Sequence, residues 1–81
     1  MALNSEVAFG QVLRELRRAR GLSQEALALE ASIERNFISL LELGKNSPSV
    51  RTLFKLSGVL GLAPSEFLRQ VELRMLTKSA D

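Results

Sequence analysis

Apolar residues recur along the chain at helical spacing in five blocks, each closed by a breaker. No stretch alternates with period two in β-branched residues as a strand would. Phe9, Val12, Leu13 and Leu16 sit at i, i+3, i+4 and i+7 and predict a first helix over about 6–20 with one apolar stripe. Gly21, with Arg20 in the last turn, ends it. Ser23 is a good N-cap for a short second helix that turns Leu27, Ala28 and Ala31 inward and stops near Ser32. A third helix over about 35–43 has Ile38 and Leu41 as its inward edge and ends at Gly44. Glu34 stands at its cap position; it caps less well than Asp, but its charge suits the positive end of the helix. Lys45-Asn46-Ser47-Pro48 is a loop, Ser49 caps a fourth helix over about 50–60 with Leu53, Leu56 and Leu60 inward, and Gly61 stops it. Pro64 opens a fifth helix over about 64–77, Ala63 before it is a poor cap, and the tail 78–81 is expected to fray. Short loops between five helices predict an all-α compact bundle, a single domain over 1–81 with no repeat and no linker.

The chain has 81 residues, 46% hydrophobic and 25% charged, which suits one small soluble globular domain. No apolar run approaches the ~18 residues of a membrane span, and the N-terminus lacks the layout of a secretory signal. Cysteine and histidine are both absent. Disulfides, thiolate nucleophiles, imidazole bases and the usual zinc ligands are therefore excluded, which fits a cytoplasmic location. No nucleophile–base set, metal-ligand cluster or phosphate loop is visible, so no catalytic residue, metal or cofactor is expected. Net charge is only +2. Its distribution says more: Arg14, Arg17, Arg18 and Arg20 crowd one stretch with Glu15 as the only acid. Such a run is either a solvated helix face or a phosphate-facing surface, and alone it does not decide between them.

The informative stretch is Ser23 to Lys45, SQEALALEASIERNFISLLELGK. Two short helices meet at a tight turn around Ser32 and Ile33, the layout of a helix-turn-helix unit, whose second helix enters the major groove. Further matches are R-x-x-R-G-L-S-Q at Arg17 to Gln24, A-L-A at Ala26 to Ala28, I-S-x-x-E-x-G-K at Ile38 to Lys45, and the N-S-P-S-V-x-T-L that follows. Through these the chain resembles the Cro/cI-like family of phage repressors and Xre-type regulators over about residues 9 to 68. The resemblance implies a λ-repressor-like five-helix DNA-binding domain with its motif at about 23–43. It further implies that Gln24 bonds a phosphate and braces the recognition helix, and that Ala28 lets the two helices pack closely. Arg17 and Glu42 match a structural ion pair, Arg35, Asn36 and Leu40 match base-reading positions, and Lys45 and Asn46 match backbone contacts. Two departures stand out. Ser32 occupies a turn position that is usually Gly, and Leu40 and Leu43 are apolar where the family more often has polar or basic residues.

Side-chain chemistry points the same way. Residues Arg35, Asn36, Ser39 and Leu40 share the face opposite Ile38 and Leu41. Arg35 suits guanine O6 and N7, Asn36 suits adenine, and Leu40 suits a thymine methyl. Ser23, Gln24 and the start of the third helix offer amides to phosphates. Leu40 and Leu43 fit a protein contact equally well.

In the fifth helix Phe67, Leu68, Val71, Met75 and Leu76 form a broad apolar stripe whose far end has little cover within the protomer. The expectation is a two-fold dimer interface around Leu68, Val71, Met75 and Leu76, placing two recognition helices one DNA turn apart, ~34 Å, on a palindrome. Expected partners are thus double-stranded DNA and a second copy of the chain, with no membrane. With no room for a sensor domain, control is expected through concentration, dimerisation or a partner protein, as in restriction–modification controllers and small phage-type repressors. The alternative is an antitoxin-like module that binds a partner protein and its own promoter.

Overall fold

The computed structural model describes residues 3–79, with side chains for 3–76. Five helices follow one another: α1 (Ser5–Ala19), α2 (Gln24–Ala31), α3 (Arg35–Glu42), α4 (Val50–Leu60) and α5 (Pro64–Ser79), and no strand occurs among the described residues.

Three of the starts are set by local capping chemistry. Asn4 Oδ1 accepts from the Val7 N–H at 2.8 Å, so α1 begins one residue earlier than its apolar stripe suggests. Ser23 Oγ accepts from the Ala26 N–H at 3.0 Å, and Ser49 Oγ from the Thr52 N–H at 3.1 Å. Each satisfies an amide that the helix itself leaves unpaired. Glu34 makes no such bond to α3. The helix α5 runs to Ser79, two residues beyond the expected end at 77; the remainder of the tail lies outside the described residues. Near the start of α5 Arg69 donates twice to Glu66, at 2.8 Å each, and these bonds hold the Glu66 carboxyl down at about 2.

The turn between α2 and α3 depends on Ser32. Its φ and ψ of 57° and 48° lie in the left-handed region, which costs a residue with a Cβ roughly 1–2 kcal/mol. The conformation lets the Ile33 N–H return to the Ala28 carbonyl at 2.9 Å, closing α2 and turning the chain into α3.

Phe67, Leu13, Leu27, Ile38, Leu41 and Leu56 are fully buried, one or more from every helix. The Phe9 and Phe67 rings stack with centroids 4.7 Å apart, clamping α1 to α5. Leu16 and Met75 pack on the margin of this core and are only half-buried. Gly10 sets how closely α1 approaches α3. A Cβ there would run into the Leu41 carbonyl oxygen and lie 2.8 Å from that of Glu42. One face of α3 is thereby pressed against α1 and α2, and the other is left outward.

Candidate nucleic-acid interface

Ile38 and Leu41 are fully buried and anchor α3 from behind. Polar bonds then fix its far end. Arg17 Nε donates to Glu42 Oε2 at 2.6 Å and Arg17 Nη2 to Glu42 Oε1 at 2.9 Å, a bidentate pair. Arg17 Nη1 donates to the Leu22 carbonyl at 2.8 Å, and Gln24 Nε2 donates to Glu42 Oε1 at 3.0 Å. The Arg17 and Glu42 side chains are only 10% and 4% exposed. Hydrogen bonding to Glu42 raises the Arg17 pKa above its ordinary value against the opposing effect of burial. This node joins α1, the α1–α2 turn, α2 and α3, so α3 is fixed at its last turn as well as along its buried face.

On the outward face Arg35, Asn36 and Leu40 are exposed and Ser39 is half-buried. Among the described residues no side chain pairs with Arg35, Asn36 or Lys45. The Lys45 N–H donates to the Leu40 carbonyl at 3.0 Å, folding the loop back onto the end of α3. Lys45 and Asn46 are exposed there and line a polar groove with Asn4, Glu6 and Ser47. Asn46 Oδ1 accepts from the Ser47 N–H at 2.8 Å, which leaves its amide NH₂ outward-facing chemistry to offer. Ser23 and Gln24 sit at the start of α2, and Gln24 is tied through Glu42 to the end of α3 that Lys45 and Asn46 follow. The arginine run does not form one cationic face. Arg17 is in the buried node, Arg20 Nη1 donates to the Leu60 carbonyl at 3.1 Å, and Arg14 and Arg18 are exposed.

The stripe on α5 divides. Leu68 and Leu76 are exposed, Met75 packs at the core margin, and Val71 is a core residue, 6% exposed. Val71 therefore belongs mainly to the core and meets the surface only at the floor of a groove. The stripe is wide enough to wrap from the core to solvent, and periodicity does not mark where one gives way to the other. Two further exposed apolar residues, not singled out in the sequence, lie on α4. Val50 and Phe54, at i and i+4 on α4, are 72% and 60% exposed. Val50 and Leu68 line a groove of about 280 Å³ together with Phe9, Leu53, Pro48 and Val71. The signal for Phe54 was present, since it lies off the Leu53–Leu56–Leu60 stripe; Val50, at i−3 from Leu53, falls at the edge of that stripe and carries no such mark.

Comparison with known proteins identifies the family. The model of the helix-turn-helix family, HTH_3, matches residues 13–67. The control protein C.BamHI of Bacillus amyloliquefaciens is 36% identical over 69 residues, covering 84% of this chain and 85% of that protein. The restriction-modification controller protein C.AhdI from Aeromonas hydrophila is 43% identical, with a TM-score of 0.73 over 75% of this chain and 92% of that one. The clp gene regulator ClgR from Corynebacterium glutamicum, 24% identical, shares the fold with a TM-score of 0.92 over 99% of this chain and 85% of that one.

Proposed function

The chain belongs to the helix-turn-helix family as a Cro/cI-type DNA-binding transcriptional regulator, and we propose that it acts in the cytoplasm as a homodimer on an inverted-repeat operator read by α3. The observation that carries this is the division of α3. Its back is immobilised by Ile38, Leu41 and the Glu42 node, while Arg35 and Asn36 stand exposed on its first turn with no partner among the described residues. A recognition helix reads base edges chiefly from its N-terminal residues, and rigid seating lowers the entropy cost of doing so.

In this arrangement Arg35 takes guanine O6 and N7, Asn36 takes adenine N6 and N7, and Ser39 and Leu40 complete the base-facing set. Gln24 keeps one amide hydrogen for a phosphate after donating the other to Glu42, and the Ser23 hydroxyl proton remains free to donate while its oxygen caps α2. Lys45 and Asn46 contact the backbone beyond α3. The second copy docks against Leu68, with Met75 and Leu76 farther along α5 and Val50 and Phe54 on α4 extending the apolar surface. A patch of this kind on a small soluble protein favours a partner. The likeness to control proteins C.BamHI and C.AhdI supports a controller-type role.

The test is selection of binding sites from a random duplex library at fixed salt, with the wild type and an Arg35→Ala/Asn36→Ala variant. The expected result is an enriched inverted repeat that is lost or relaxed in the variant. No enrichment by a folded wild type would overturn base reading by α3.

A further inference from the structure

The exposed face of α3 changes character along its length. Asn36, Leu40 and Leu43 fall at i, i+4 and i+7 and form its outermost row. Leu43 still has right-handed helical backbone angles, φ −82° and ψ −4°, so its side chain continues that row. The first turn carries hydrogen-bonding groups, Arg35 and Asn36. The last carries two leucines, 39% and 59% exposed. Two leucines exposed beside each other, on the face that also carries Arg35 and Asn36, gain free energy from an apolar surface that covers them when the protein works.

We propose that Leu40 and Leu43 form a methyl-reading strip that contacts the C5-methyl groups of pyrimidines in the major groove, giving the operator half-site a preference for C5-methylated pyrimidines next to the bases read by Arg35 and Asn36. This rests on the proposal that α3 reads DNA. The strip is continuous with that face, and pyrimidine C5-methyl groups are the apolar features that the major groove presents at its base edges. The side chains bear no donor or acceptor, so they discriminate by the methyl and not by hydrogen bonding. Thymine and 5-methylcytosine offer the same group at the same ring position. The strip therefore makes binding sensitive to cytosine C5 methylation wherever a cytosine occupies a contacted position.

The test uses the selected operator, the full-length protein and fluorescence anisotropy at fixed salt. Each thymine of a half-site is replaced in turn by deoxyuridine, which removes the methyl and keeps the pairing. In a second series the contacted position carries cytosine or 5-methylcytosine opposite guanine. The expected result is a loss of about three- to fivefold for each contacted methyl, the size of one apolar carbon returned to water. The gain of 5-methylcytosine over cytosine should match it. Leu40→Ala and Leu43→Ala should each erase the effect at one position. Each ratio is measured within one variant, so a change in its folded fraction cancels.

The proposal is overturned if wild-type protein binds the operator specifically yet is indifferent to every uracil substitution. It is also overturned if the thymine preference survives in the Leu40→Ala/Leu43→Ala variant. Failure to select any operator at all is a different result: it removes base reading by α3, and the methyl strip with it.

Discussion

Burying a carboxylate costs several kcal/mol of lost hydration unless its oxygens are bonded. Glu42 meets that condition with three donated bonds, two from Arg17 and one from Gln24. Removing it strands the Arg17 guanidinium in a site where Leu22 supplies only one carbonyl. Glu42→Ala should accordingly destabilise the domain by about 3 kcal/mol, read as a lower urea midpoint with unchanged slope; Arg17→Met/Glu42→Leu should cost less than the single change. Ser57 presents the opposite case. It is 1% exposed, and its Oγ has no hydrogen-bond partner among the described residues. Ser57→Ala removes an unsatisfied hydroxyl and improves helix propensity, and should stabilise by about 1 kcal/mol, seen as a higher thermal midpoint. These residues differ in how far the sequence exposes them. Arg17 and Glu42 are 25 positions apart, so no local pattern joins them, and their pairing was legible only through family resemblance. Ser57 was legible by position, at i+4 from Leu53 and i−3 from Leu60 on the inward stripe, but its polar side chain kept it off the expected core.

At the level of elements, starts and stops were the most legible features because they are chemically local. Ser23, Ser49, Gly21, Gly44 and Gly61 each act within a few residues of themselves. Asn4 was passed over because it precedes the apolar stripe, although its side chain is the cap of α1. Faces were less legible. The α5 stripe runs from Phe67 in the core to Leu76 in solvent, and only the packing of α1 and α4 decides that Val71 falls inside. The start of α3 gives a direct test of capping. Glu34 occupies the N-cap with an extended backbone, φ −69° and ψ 139°, yet its longer side chain makes no cap bond. Glu34→Asp keeps the charge and shortens the reach, and should add about 0.5–1 kcal/mol of stability. Scanning calorimetry should show a rise of several degrees, on the scale of about 4–8 °C per kcal/mol for a domain of this size. An unchanged midpoint would mean that the first turn of α3 is already satisfied in solution.

For the whole molecule, the architecture separates two surfaces. One is the outward face of α3 with the starts of α2 and the following loop. The other is the apolar area of Val50, Phe54 and Leu68. The second was partly hidden from the sequence because it draws on two helices whose adjacency is a property of the fold. Leu68→Glu places a charge on this area without entering the core, since Leu68 is 49% exposed. Sedimentation equilibrium should find the wild type dimeric and this variant monomeric, with the helical circular dichroism of both alike. A wild type that stays monomeric at high micromolar concentration would remove the dimer. DNA reading by α3 is tested most directly by mapping backbone amide shifts as the selected duplex is titrated into isotope-labelled protein. Shifts should concentrate at Ser23, Gln24, Arg35 to Leu40, Leu43, Lys45 and Asn46, and remain small along α5. A map with α3 silent and the changes centred elsewhere would contradict the assignment of α3 as the helix that reads DNA.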